Sequence, residues 1–363
     1  MNFFKTLLRA TRAATRFHPS RQPTVVESLP KAELHLHLEG SIRPETAAEL
    51  AARSHIEVPL EEIAARYEFT DFSGFIESFK WITSLLRGPR DYALVTGNLL
   101  EELMRQNVVY AEITISAGVM LLRNQSIEAN LAAICETAQN LRYASIRTSW
   151  ILDCVRQFGP GPAMRIARIA ARFQGSRVVA FGMGGDELAL PAADFRPAFD
   201  FARSQGLHLV CHAGELGSPG SVRDAVDILG AERIGHGIAV MHDPALAASL
   251  AARRIVLENC LTSNVATGAL AKQTGNAGAT LADHPLKKLL DSGSLATLST
   301  DDPAMFSTDL LTEYSRAAAL GLSPAQLVRL AEQSFRAAFL PDADKRAYVE
   351  IFRAAAKSSG ALL

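Results

Sequence analysis

Eight short runs of β-branched and aliphatic residues recur along this chain, each followed by enough residues for a helix. They are Ala32–Gly40, Asn107–Ser116, Thr148–Cys154, Arg177–Met183, Leu207–His212, Arg233–His236, Arg254–Cys260 and Leu295–Thr300. Intervening segments such as Pro162–Phe173, Phe195–Ser204 and Pro244–Ala252 have the spacing of amphipathic crossovers. Eight βα units with no block of consecutive strands predict an α/β fold, a parallel (β/α)8 TIM-type barrel rather than an open doubly wound sheet. A chain of 363 residues fits one such barrel with insertions, so 29–363 reads as a single domain. Residues 41–106 are too long for a simple crossover between strands one and two. They predict a helical insertion over the barrel mouth, where loops after strands build sites. Within it, Phe72, Phe75 and Phe79 form a stripe read as core packing rather than substrate cover.

Composition removes several classes of function. The chain is 48% hydrophobic and 21% charged, ordinary for a globular domain. A formal net charge of −1 argues against general nucleic-acid binding, which needs a basic surface. No GxGxxG follows a strand, and no P-loop occurs. No apolar run approaches a membrane span. Cys135, Cys154, Cys211 and Cys260 are scattered without a CxxC pair, which predicts thiols in a reducing, cytoplasmic compartment. Residues 1–28 form a separate basic extension, apolar and arginine-rich over Met1 to Phe17. Its run is too short and interrupted for a secretory signal, and a helix packed on the domain or a loose tail is expected.

Polar groups gather where the strands stop. In Ala32–Gly40 leucines alternate with His35, His37 and Glu39, so one strand face is expected to be aliphatic and the other to carry two imidazoles and a carboxylate. Such a face needs a partner, either a metal ion or mutual hydrogen bonds. Further along come Gly182–Glu187, His212-Ala213-Gly214-Glu215, Gly235-His236-Gly237, Thr262-Ser263-Asn264 and Ser299-Thr300-Asp301-Asp302-Pro303. Each alone reads as a cap, turn or surface pair, but a barrel brings all these ends to one mouth.

Taken in order, PKAELHLHLEGS (30–41), GMGGDE, HAGE, RIGHG, ENCLTSN, HPLKKLLDSG and STDDP resemble the adenosine deaminase family of metal-dependent amidohydrolase barrels. That resemblance implies that His35, His37, His212 and Asp301 bind one zinc ion. It implies Glu215 as proton shuttle to a purine ring and His236 as the residue orienting the attacking water. Substrate contacts would come from Asp302, the Gly185 backbone and Glu39, with Asp301 also counted as catalytic. The donor chemistry agrees, since imidazoles and a carboxylate suit zinc, and zinc lowers the pKa of water to about 7. The implied reaction is hydrolytic deamination of a 6-aminopurine nucleoside, adenosine or a derivative, releasing ammonia. Glu39 and Gly182 stand where the family often has aspartate, and they bear on substrate rather than reaction. TISAGVMLLRNQ (114–125) and WILDCVRQFG (150–159) are similar to the branch acting on 6-amino-6-deoxyfutalosine. Lys80, Trp81, Arg87, Arg90, Arg123 and Arg156 are the basic and aromatic groups that could meet its carboxylate. Adenine deamination, and ester or amide hydrolysis on the same barrel, are the alternatives. The partner is a small molecule in every case, and the sequence says nothing of oligomeric state.

Overall fold

The computed structural model describes residues 24–361, so the extension expected over Met1 to Phe17 lies outside the described residues. Its strands are β1 (Lys31–His37), β2 (Val108–Ile115), β3 (Arg147–Val155), β4 (Val178–Gly184), β5 (His208–Ala213), β6 (Arg233–His236), β7 (Val256–Asn259) and β8 (Leu295–Leu298). All neighbours pair in parallel, in sequential order from β1 to β8. Each overlaps a run expected from the sequence. The seam between β8 and β1 is drawn together by Asp301, three residues past β8. Its N–H donates to His35 O at 3.1 Å, and its carbonyl accepts from His37 N–H at 2.8 Å. Barrel closure and the strand-end chemistry therefore share one residue.

β1 departs from the expected strict alternation. Its pairing with β2 shifts register between Glu33 and Leu36, as a bulge does when it re-aims side chains. Leu34 and His35 both line a small void inside the barrel. Glu33 and Leu36 instead line a cavity between the barrel wall and outer helices. The single aliphatic face expected at 34, 36 and 38 is thus split. The strand also stops at His37, and Glu39–Ser41 is a 3-10 turn.

Four helices lie between β1 and β2: α1 (Pro44–Arg53), α2 (Leu60–Ala65), α3 (Phe72–Ser84) and α4 (Pro89–Arg105). Proline at the first position starts α1 and α4, where the missing N–H costs nothing. Asp71 caps α3 by accepting from Gly74 N–H at 2.8 Å. Only α3 roofs the mouth; α4 packs on β2 and on helix Ile127–Ala138, the place of an ordinary crossover. No described helix is long and apolar enough to cross a membrane.

Large apolar side chains, among them Trp150, Phe181, Phe195, Phe199, Phe335 and Phe352, are fully buried and form the core. The barrel interior is different, because it carries charge. Arg233 at the start of β6 pairs through its Nη2 with Glu112 of β2 and through its Nε with Glu258 of β7. Its Nη1 donates to Ala337 O at 2.9 Å, and its guanidinium lies 3.7 Å over the Phe339 ring. All three charged groups are buried. Removing one partner from such a set costs about 3–5 kcal/mol, since the others are left uncompensated. The network holds Glu258 in place under the mouth.

Candidate active site and metal centre

Four side chains expected to act together meet at the C-terminal end of the barrel. His35 Nε2 lies 3.0 Å from His212 Nε2, which lies 3.3 Å from His37 Nε2. Asp301 Oδ1 completes the ring, 3.2 Å from His37 Nε2 and 3.3 Å from His35 Nε2. For tetrahedral zinc with bonds near 2.0–2.1 Å, donor atoms sit about 3.3–3.4 Å apart. The far nitrogens explain why these atoms converge. His35 Nδ1 lies 2.8 Å from Glu258 Oε2, and His212 Nδ1 lies 3.1 Å from Met183 O. Both Nδ1 atoms therefore carry protons, and two Nε2 lone pairs face each other at 3.0 Å. That contact is repulsive unless a cation lies between them. Glu258 and Met183 O are placed as the outer partners that would orient these imidazoles toward a metal ion. Without a metal, burial opposes charge on His35, yet its bonds to Asp301 and Glu258 push it up to about 10. Burial and the neighbouring imidazoles hold His212 well below the usual histidine range. The donor set thus favours a cation at its centre, a proton or a metal ion. Gly235 on β6 makes the room, since a Cβ there would stand 2.6 Å from His35 Cε1.

Glu215, His236 and Asp302 border the same point. His236 Nε2 lies 3.6 Å from Glu215 Oε2 and 3.8 Å from Asp301 Oδ2. Burial, reinforced by the Asp301 charge, raises the Glu215 carboxyl well above the usual carboxylate range and so favours its protonated form. Burial lowers His236 to about 4 and keeps it neutral. Asp302 is likewise raised by burial and by Asp301, and its buried Oδ1 has no hydrogen-bond partner. His236 and Asp301 both have left-handed backbones (φ 61° and 64°), strain of the kind found at functional sites. Gly185 has φ 92°, and a Cβ there would collide with Gln157 Oε1 at 2.4 Å. Only glycine brings that backbone to the cavity.

The cavity above these groups measures about 850 Å³. It is lined by His37, Gly185, His212, Glu215, His236, Asp301 and Asp302, and by Phe72, Phe75, Ile76 and Phe79 of α3. The phenylalanine stripe therefore serves both purposes: Phe75 packs on Phe69 and Phe306, while the stripe walls the mouth. Glu39 does not line the cavity. It is fully buried, and both its oxygens accept from Ser116 N–H at 3.1 and 3.2 Å. Of the basic groups considered, Lys80 and Arg123 reach the cavity. Arg156 is buried and donates to Leu190 O at 3.0 Å, and Trp81 lies under the Arg66 guanidinium. Neither these two nor Arg87 and Arg90 line it.

Sequence reasoning missed several residues. Glu187 accepts from the N–H groups of Gly214, Glu215, Leu216 and Gly217 and so pins the Glu215 loop. Asp153 of β3 lines the cavity floor, its Oδ1 only 2.7 Å from where a Gly182 Cβ would be. A carboxylate from the neighbouring strand thus occupies the space beside Gly182. Ser263 donates to Asp301 Oδ2 at 2.6 Å. Asp153 sits mid-run in WILDC, where its inward direction was the only signal. His208 is half-exposed, 2.8 Å from Glu232 and stacked on Phe339. All four cysteines are buried and free.

A parallel barrel with imidazoles and a carboxylate converging at its C-terminal mouth defines a hydrolase of the amidohydrolase type. More narrowly, residues 30–354 match the adenosine deaminase family model, and the chain belongs to that family. It is 41% identical over 328 residues to an aminodeoxyfutalosine deaminase of Streptomyces avermitilis, covering 88% of this chain and 89% of that one. Among solved structures it resembles an adenine deaminase from Arthrobacter aurescens (TM-score 0.83, 29% identity, 91% and 99% of the two chains). It also resembles an amidohydrolase from Burkholderia ambifaria with bound zinc (TM-score 0.83, 25% identity, 97% and 99%).

Proposed function

We propose that this enzyme hydrolytically deaminates a 6-aminopurine nucleoside whose sugar carries an apolar, carboxylate-ended extension, as in aminodeoxyfutalosine. The observation that carries the reaction is Glu215, a buried carboxyl whose protonated form burial favours, set 3.6 Å from His236 at the edge of the donor ring. Ester or amide hydrolysis gives such an acid no ring nitrogen to protonate.

His35, His37, His212 and Asp301 would hold one zinc ion, which supplies water acidified to about pKa 7. The remaining chemistry belongs to the side chains. Oxygen addition at C6 breaks ring aromaticity, so Glu215 delivers its proton to N1 as the bond forms. Asp301 accepts a proton from the attacking water. The amino group then leaves C6 as ammonia, taking the proton held by Asp301, while the C6 hydroxyl proton passes to Glu215 and restores it, and the 6-oxo purine remains. Asp302, with an unpartnered oxygen, and the Gly185 backbone hold the purine edges. Glu39, closed off behind Ser116 N–H, shapes the sugar end from behind.

Three features support the larger substrate. The cavity of about 850 Å³ exceeds what a bare nucleobase fills. Phe72, Ile76, Phe79, Val119 and Leu122 give it an apolar wall. Arg123 stands at that wall, held by Lys80 O at 2.8 Å and Thr83 Oγ1 at 3.3 Å, with its Nε unpartnered. A guanidinium so held suits a carboxylate. The name of the Streptomyces relative agrees with this substrate. Aminodeoxyfutalosine should exceed adenosine and adenine in kcat/KM by at least about tenfold, about 1.4 kcal/mol of transition-state binding. Equal or better use of adenosine would leave the simpler nucleoside deaminase.

A further inference from the structure

We propose that Asn264 and His284 are positioning residues that hold His236 in its Nε2–H tautomer, so that it faces the reacting centre as a hydrogen-bond donor. The assignment starts from a group that cannot flip. The backbone N–H of Leu286 lies 3.2 Å from His284 Nδ1, and a backbone N–H only donates. His284 Nδ1 is therefore unprotonated, and its single proton is on Nε2. That Nε2 lies 3.1 Å from Asn264 Oδ1, which accepts from it. The Asn264 amide is thereby oriented, and its Nδ2 donates to His236 Nδ1 at 3.0 Å. With Nδ1 accepting, neutral His236 keeps its proton on Nε2.

All three side chains are buried, so a misdirected link would leave a polar group unsatisfied at a cost. Rotating the Asn264 amide would set N–H against N–H at the His284 end. The orientation is thus enforced from the Leu286 N–H through His284. Nε2 points between Glu215 Oε2 and Asp301 Oδ2, at 3.6 and 3.8 Å. A donor there steadies negative charge growing on the attacking oxygen, and it leaves proton acceptance to Asp301. The opposite tautomer would present a lone pair to that oxygen and repel it.

The consequence for turnover rests on the deaminase reading, whereas the tautomer itself is measurable without substrate. In zinc-loaded protein labelled with [15N]histidine, the His236 ring, assigned by its loss in His236→Gln, should show Nδ1 unprotonated and Nε2 protonated. A protonated Nδ1 would overturn the proposal, whatever the substrate proves to be. Asn264→Asp keeps the shape and both neighbours but can only accept, which drives the proton onto His236 Nδ1. Its kcat should fall by about 10²-fold or more with KM within about threefold, since a wrong histidine tautomer is costly in acid–base catalysis. His284→Gln can still donate to Asn264 Oδ1 and should stay within about tenfold of wild type. A purely structural role expects no tautomer change and near-normal kcat for Asn264→Asp, which would also overturn it. If that variant fails to fold, the wild-type spectrum decides.

Discussion

Glu215→Gln is expected to lower kcat by about 10²–10⁴-fold, the usual contribution of a positioned general acid. Zinc content and KM should change little. The reason is chemical rather than steric, because glutamine has nearly the same shape and can still hydrogen-bond to a ring nitrogen. It has no acidic proton to give. Burial and the Asp301 carboxylate raise the wild-type carboxyl and favour its protonated form, the form a proton donor needs. Glu187 keeps the loop in position through four backbone N–H groups, and none of them involves the Glu215 side chain. The variant should therefore fold and load metal normally. Steady-state kinetics beside metal analysis separates the cases, and turnover near the wild-type rate would remove Glu215 as the shuttle.

His212→Ala should abolish metal retention and activity together. Losing a partner outside the ligand set typically costs 10–100-fold in affinity, so losing a ligand should cost more than about 10²-fold. The geometry adds a reason. His212 Nε2 is near both His35 and His37, and its removal opens the ring of donors on one side. The barrel should persist, because the imidazole bonds only to Met183 O and to the other donors. Inductively coupled plasma analysis of the folded variant should find well under one zinc per chain. A full equivalent of zinc with activity retained would show that His212 is not a ligand.

Much of this fold was legible because parallel barrels write themselves as alternating runs. All eight strands overlap runs expected from the sequence, and the four residues of β6 match theirs end to end. The strand-end polar groups were legible for the same reason, since the topology gathers whatever stands there. Side-chain direction was less so. The register shift between Glu33 and Leu36 breaks the period of two on which the β1 reading depended. Glu39 followed from that reading and proved to lie on a turn, capped by Ser116. Supporting residues were the least visible. Arg233, Glu258 and Glu112 sit on three strands, and only closure of the barrel makes them one network. Glu187, Asn264 and His284 were visible as letters within motifs, yet their partners lie 20 or more positions away. Nothing local announces such contacts.

The central claim is that this mouth hydrolyses the C6–N bond of an aminopurine. Turnover of aminodeoxyfutalosine and adenosine in H2(18)O tests it most directly, with product and ammonia measured together. The account predicts one ammonia per 6-oxo product, with a single 18O at C6. It also predicts that a chelator removes this activity and that one equivalent of zinc restores it. No ammonia from any 6-aminopurine, or product without label at C6, would contradict it.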